Sequence, residues 1–268
     1  MRVDGKRVFL TGATGGIGRP LSAVLRSRGA IVTTHDHAEQ GDLMEQIDTV
    51  CKSLRENTPD ILVNLAAINA FDLAEHQNYD ALLTLDLLVP MRLCQAVLPA
   101  MRHRGHGQIV NIGSMAGFIA PAHQSGYVAA KAGLKGFSDA LRREVARNGI
   151  KVCHIAPRAT HTGMNSAKLG LLHRQTATSE DRPRDVAIRI ANAIERNRID
   201  LRTGWPERLL AQINALCPAI MDKILHSHTR TGLDILLSDQ QNSRIADIAD
   251  VANTSPAPSG TVTRKTTA

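Results

Sequence analysis

Aromatic residues are scarce in this chain: 3% of 268 positions, with one tryptophan, two tyrosines and four phenylalanines. That scarcity decides how the formal net charge of +7 is read. Surfaces that bind nucleic acid interleave clustered cations with aromatic rings on which bases stack. Here the excess is diffuse, denser only from Arg182 to Arg208, and solvated helix faces account for most of it. No nucleic-acid partner is expected. Cysteine is sparse too. Cys51, Cys94, Cys153 and Cys217 stand far apart with no C-x-x-C pair, which excludes a disulfide framework and a zinc site and reads as reduced thiols used as small hydrophobes. The histidine pairs His35/His37, His103/His106 and His226/His228 each lack a third ligand at a suitable spacing, so no metal is expected. No apolar run approaches membrane-spanning length, and the first residues lack the architecture of a secretory signal. A cytoplasmic location is the default expectation.

Hydrophobic residues make up 43% of the chain, enough for a sizeable core. Short β-branched runs at 7–10, 30–34, 60–67, 108–112 and 151–155 alternate with helical patterns at 19–27, 43–56, 79–102 and 127–148. Such alternation means right-handed βαβ units and a parallel sheet covered on both faces. The expected fold class is α/β: one doubly wound Rossmann domain over residues 1–205, closing with a helix at 184–196 and a strand at 199–202. An amphipathic helical extension follows at 206–240, interrupted by Pro218, and the Ser/Thr/Pro-rich stretch 251–268 reads as a disordered tail.

The junction between the first strand and first helix reads "TGATGGIG", residues 11–18. Gly12 permits a tight turn, Gly16 lets backbone approach a pyrophosphate, and Gly18 lets the helix pack closely on the strand. The helix N-terminus then favours an anion. A plain βα turn needs one glycine, not a spaced set. Asp36, about 20 residues beyond the loop at the end of the second strand, is placed to accept hydrogen bonds from adenosine ribose hydroxyls, or to serve simply as a turn residue.

A second motif, "NIGSMAG…SGYVAAKAG", carries Ser114, Tyr127 and Lys131. Tyr127 and Lys131 are four apart and share a helix face. An ammonium beside a phenol favours the phenolate, and a nearby serine hydroxyl can hydrogen-bond a carbonyl or alcohol oxygen. Proton transfer coupled to hydride transfer is the implied chemistry.

With these motifs in place, residues 5–205 resemble the short-chain dehydrogenase/reductase family: "TGATGGIG" matches its TGxxxGIG loop and "YVAAK" its YxxxK signature. The resemblance implies that Tyr127 is the general acid or base, that Lys131 holds the nicotinamide ribose and lowers the tyrosine pKa, and that Ser114 orients the substrate. It assigns the dinucleotide to Gly12, Thr14, Gly16, Ile17 and Gly18, to Asp36, to the adenine-contacting pair Asp42 and Leu43, and to Asn64 and Ala66. Pro157, Thr160 and Thr162, with Tyr127 and Lys131, complete the set. There are departures. Asn64-Leu65-Ala66-Ala67 replaces the family's NNAG, and Pro157-Arg158 its proline-glycine. Asp86 replaces the asparagine of a helix-borne proton relay, where it is expected to hold a relay water and to tolerate exchange for asparagine. The segment between Asp36 and Asp42 is too short for the usual helix and extra strand.

The expected function is NAD-dependent interconversion of a secondary alcohol and a ketone on an apolar small molecule, with NAD chosen because Asp36 would repel a 2′-phosphate. A 3-oxoacyl-thioester reductase working on a carrier-bound acyl chain is the alternative. A cofactor-binding regulator without turnover is disfavoured by the intact Ser114–Tyr127–Lys131 set. Residues 159–181 are expected to form a lid, with Met164, Leu169, Leu171 and Leu172 facing the substrate. A homodimer or homotetramer is expected. The apolar stripe of 205–228 is assigned to subunit or core packing in preference to a peripheral membrane contact.

Overall fold

The computed structural model describes residues 2–254. At its centre is a parallel sheet in the order β2-β1-β3-β4-β5-β6. The strands are β1 (Arg7–Thr11), β2 (Ile31–His35), β3 (Ile61–Asn64), β4 (Gly107–Ile112), β5 (Ile150–Ala156) and β6 (Asp200–Arg202). Between and after them run α1 (Gly18–Ser27), α2 (His37–Gln40), α3 (Leu43–Glu56), α4 (Tyr79–Leu83), α5 (Val89–Arg104), α6 (Ala116–Ile119), α7 (Ser125–Glu144), α8 (Ala167–Gln175), α9 (Pro183–Glu195), α10 (Trp205–Leu216) and α11 (Pro218–Thr254). This is the doubly wound Rossmann arrangement expected from the alternation of runs.

Strand periodicity sorts the core into two layers. Leu10, Val63 and Val110 point to the face covered by Leu21 and Leu25 of α1 and Ile190 and Ile194 of α9. Leu62 and Ile109 point to the other face, under Ile47 of α3, Leu93 and Val97 of α5 and Leu141 of α7. Every residue of β3 is buried, as a central parallel strand requires. Each fully buried leucine contributes about 1.5–3 kcal/mol of transfer free energy. Burial also pushes the Cys94 and Cys153 thiols up to about 12, so both behave as small hydrophobes. One polar ladder crosses the second layer: Asn64 Nδ2 donates to Asn111 Oδ1 (2.8 Å), and Asn111 Nδ2 donates to Ser138 Oγ (2.9 Å).

From β1 the chain moves outward through α1 to β2, then returns to β3 on the other side of β1. This reversal opens a crevice at the carboxyl ends of the strands, the usual ligand position in such sheets. The short stretch between Asp36 and Asp42 forms only the one-turn α2, so β2 is the sheet edge, and its Ile31 is exposed.

Two sequence expectations change. Residues Tyr79–Arg104 are, by length and composition, long and apolar enough to cross a membrane, although no run of that length was read from the sequence. Half of the most apolar window is buried, because this helix covers one face of the sheet. It is also not a plain α-helix: Thr84–Leu88 form a π turn. Pro90, four residues after Asp86, has no N–H to bond the Asp86 carbonyl in α register, which accounts for the wider turn there. At the C-terminus, Pro218 ends α10 and starts α11 as expected, but α11 runs on to Thr254. The tail read from residue 251 therefore begins in helix, and residues 255–268 lie outside the described residues.

Candidate active site

The glycine loop is shaped by contacts that exclude side chains. Gly12 has φ +72° and its N–H donates to His35 O at 2.9 Å. A Cβ there would meet the Ala66 backbone at 2.8 Å, and one at Gly18 would lie 2.0 Å from Gly12 O. Thr11 Oγ1 accepts from Leu65 N–H (3.0 Å) and Ala66 N–H (3.1 Å), tying the loop to the end of β3. Helix α1 begins at Ile17 with no side-chain cap and no acidic residue in its first turn. In its first turn Arg19 N–H is taken by Gly15 O (3.1 Å) and Pro20 has no N–H, so the amides that face an external anion are those of Gly16, Ile17 and Gly18, and this cradle fits a dinucleotide pyrophosphate. Gly18→Ala is expected to weaken dinucleotide binding and to lower stability by about 1–3 kcal/mol, because the clash is with backbone that must move. Denaturant midpoints and cofactor titration of this variant check both effects.

The loop opens into a cavity of about 1120 Å³. Of the residues predicted to hold the dinucleotide, Gly12, Thr14, Gly16, Ile17, Gly18, Asp36, Asp42, Leu43 and Ala66 line it, as do Tyr127, Lys131, Pro157, Thr160 and Thr162. Asn64 does not; its side chain is buried in the polar ladder below, and the cavity wall is made by the residues after it. Asp42 Oδ1 also accepts from Met44 N–H (2.8 Å) as the N-cap of α3.

Ser114, on the turn after β4, and Tyr127 and Lys131, one turn apart on α7, face the same cavity. Ser114 Oγ accepts from Ala116 N–H at 3.1 Å, which fixes the hydroxyl. Lys131 Nζ lies 5.5 Å from the Tyr127 ring centroid and donates to Ile112 O at 3.4 Å. Asp86 has a partner that sequence reasoning did not name. It is 0% exposed, its Oδ1 accepts from Ile68 N–H (2.9 Å), and its Oδ2 is 3.1 Å from Lys131 Nζ. The π turn carries this carboxylate directly to the lysine, with which it forms an ion pair. A charge in the interior requires such a partner.

The electrostatics follow from burial and this pair. Burial pushes the Lys131 ammonium down, but Asp86 and Tyr127 more than offset it, so the lysine stays protonated. Burial pushes the Tyr127 phenol above its ordinary value. Lys131 and a hydrogen bond with Ser114 pull it back, while the like charge of Asp86 adds to the rise. Lys131 thus acts on the tyrosine in the expected direction, yet burial wins.

Within the expected lid, Met164 lines the cavity; Leu169 touches it too but is buried with Leu172, Phe71, Ile235 and Leu236 in a satellite core, against which Leu171 packs, so Leu171 and Leu172 do not face the substrate space. Arg158 is held by Asp181 (2.7 Å) and Glu207 (3.5 Å). The C-terminal extension supplies wall residues that no motif pointed to: Leu210, Leu225 and His228. Their signal was only the apolar periodicity of the segment. His173, on α8, also faces the cavity and pairs with Glu180 at 2.7 Å.

Residues 34–169 match the family model described as short chain dehydrogenase. The chain is 36% identical over 191 residues to the 3-oxoacyl-[acyl-carrier-protein] reductase FabG of Escherichia coli, covering 62% of this chain and 78% of that protein. The crystal structure of a short-chain dehydrogenase from Streptomyces avermitilis matches with a TM-score of 0.69 at 25% identity, over 85% of this chain and 98% of that one. Another, from Burkholderia cenocepacia J2315 in complex with NADP, shares the fold with a TM-score of 0.71 at 20% identity, over 84% of this chain and 99% of that one. The family match spans the stretch that carries Ser114, Tyr127 and Lys131, and with the glycine loop ahead of it the chain belongs to the short-chain dehydrogenase/reductase family.

Proposed function

We propose that this oxidoreductase uses NAD(H) to interconvert a secondary alcohol and a ketone on an apolar small molecule. The observation that carries the reading is a single cavity shared by Ser114, Tyr127 and Lys131 and by the glycine loop. A bound nicotinamide dinucleotide would supply or accept the hydride. Tyr127 delivers the proton to the carbonyl oxygen in reduction and takes it back in oxidation. Its raised pKa keeps the phenol protonated at neutral pH, which suits reduction. Ser114 hydrogen-bonds the same oxygen, and Lys131 stabilises charge that develops on it. The preference for NAD rests on Asp36, which lines the cavity just past β2. The apolar substrate class rests on Ile119, Met164, Leu169, Leu210 and Leu225 in the wall. Following loss of reduced-cofactor absorbance across a panel of ketones tests the reading; no turnover of any of them with either cofactor would overturn it.

The relative named as a 3-oxoacyl-[acyl-carrier-protein] reductase favours a second reading, reduction of a 3-oxoacyl thioester. Comparing a carrier-bound 3-oxoacyl thioester with a simple ketone of equal chain length separates the two. Preference for the carrier form by orders of magnitude in kcat/KM assigns the second.

Either reaction exposes the part played by Asp86. Asp86→Asn keeps an acceptor for Ile68 N–H but removes the charge facing Lys131 and Tyr127. Because that charge raises the tyrosine pKa, its removal is expected to move the alkaline limb of the reduction profile to lower pH. It also leaves Lys131 uncompensated, at a cost of up to about 3–5 kcal/mol in stability. A pH–rate profile that stayed in place would remove Asp86 from the electrostatics of the proton donor.

A further inference from the structure

We infer that the outer face of α10 and the start of α11 is a docking surface for an anionic lipid bilayer. Trp205 is 75% exposed and Leu216 87%, and Leu209, Ile220 and Ile224 are exposed as well. At 3.6 residues per turn, Trp205, Leu209 and Leu216 fall within about 40° of one another on α10. They lie on the side opposite Ala211, the residue α10 buries. Past the break at Pro218, Ile220 and Ile224 form a second exposed apolar pair one turn apart on α11. Single exposed leucines are ordinary, but exposed apolar residues stacked on successive turns of two consecutive helices, with a tryptophan at one end, mark an interaction site. Among the described residues nothing buries them.

The charges around these residues favour lipid over a second copy. Arg208 and Lys223, both exposed, precede Leu209 and Ile224 and so each stands beside the exposed apolar residues of its own helix. The neighbouring acids are turned away: Glu207 reaches inward to Arg158 at 3.5 Å, and by helical periodicity Asp222 falls on the far side of α11 from the two isoleucines. A two-fold contact through this face would bring the cations of both copies together in a chain already at +7. An anionic surface accepts them, with the tryptophan at headgroup depth and the aliphatic residues below it. The same helices wall the cavity from inside, since Leu210 and Leu225 sit beside Leu209 and Ile224. Docking there would bring the cavity wall against the bilayer, the phase that holds apolar small molecules.

Trp205 is the only tryptophan in the chain, so its emission reports on this face alone. The full chain is titrated with vesicles of phosphatidylcholine, and with vesicles of equal parts phosphatidylcholine and phosphatidylglycerol, alongside co-sedimentation. With the anionic vesicles, emission is expected to shift to the blue and become shielded from an aqueous quencher. Leu216→Glu with Ile220→Glu is expected to lower partition by more than about tenfold, since each removes a buried aliphatic group. Neither residue lines the cavity, so dinucleotide binding by this variant is the check that it is folded. Arg208→Ala and Lys223→Ala are each expected to cost about fivefold on anionic vesicles only. Emission that ignores both vesicle types overturns the proposal. So does equal partition onto phosphatidylcholine alone, or a blue shift that follows protein concentration without lipid and marks a second copy as the occupant.

Discussion

Tyr127→Phe is expected to lower turnover by about 100- to 10,000-fold, the usual worth of general acid–base assistance, while dinucleotide affinity stays within a few fold. The two effects separate because of how the residue is held. The Tyr127 ring is buried on α7, beside Lys131 and above the end of β4, so phenylalanine fills the same space and leaves the ion pair between Lys131 and Asp86 intact. Only the proton donor is lost. Single-turnover rates measured together with cofactor titration give the answer. Near-normal turnover would mean that another group protonates the substrate, and within this cavity no residue is better placed than Tyr127.

The second large effect concerns the adenosine end. NADP carries a phosphate next to the ribose hydroxyls that Asp36 is proposed to bind. Like charges a few ångströms apart at surface-like dielectric cost about 1–4 kcal/mol, or roughly five- to a thousandfold in preference for NAD. The histidine before Asp36 does not relieve this. Burial lowers the His35 pKa, and the opposing pull of Asp36 does not restore it, so the ring is neutral at pH 7. Asp36→Ser is therefore expected to shift the ratio of kcat/KM values toward NADP by a large part of that factor. A wild type that prefers NADPH, or an unchanged ratio in the variant, would show that selection is made elsewhere in the cavity.

How much of this was legible beforehand follows from which interactions are local. The glycine loop, the strand before it and the helix after it are set by neighbours in sequence, and so was the shared face of Tyr127 and Lys131. The parallel sheet followed from the alternation of runs. What sequence could not supply was partnership across the fold. Asn64 looked like a cofactor residue because it stands where the family's NNAG begins, but it is the last residue of β3 and its partner is Asn111, 47 residues away. Asp86 looked like a weakened relay; its meaning depends on Lys131, 45 positions later, and on a π turn that no periodicity announces. The wall formed by Leu210, Leu225 and His228 was hidden for the same reason, since an apolar stripe does not state what it covers.

The wide turn at Thr84–Leu88 has a consequence for how this chain can vary. A π turn is what an α-helix becomes when it absorbs one residue more than its register allows. Deleting a residue there would rotate everything before it by about 100° relative to α5. Asp86 would swing away from Lys131, and the buried face of α4 would turn out of its packing. Substitutions can drift through this stretch, whereas a change in its length cannot. The Thr84–Leu88 segment is therefore a fixed-length spacer, and insertions and deletions in descendants of this chain should avoid it while collecting in the loops on either side.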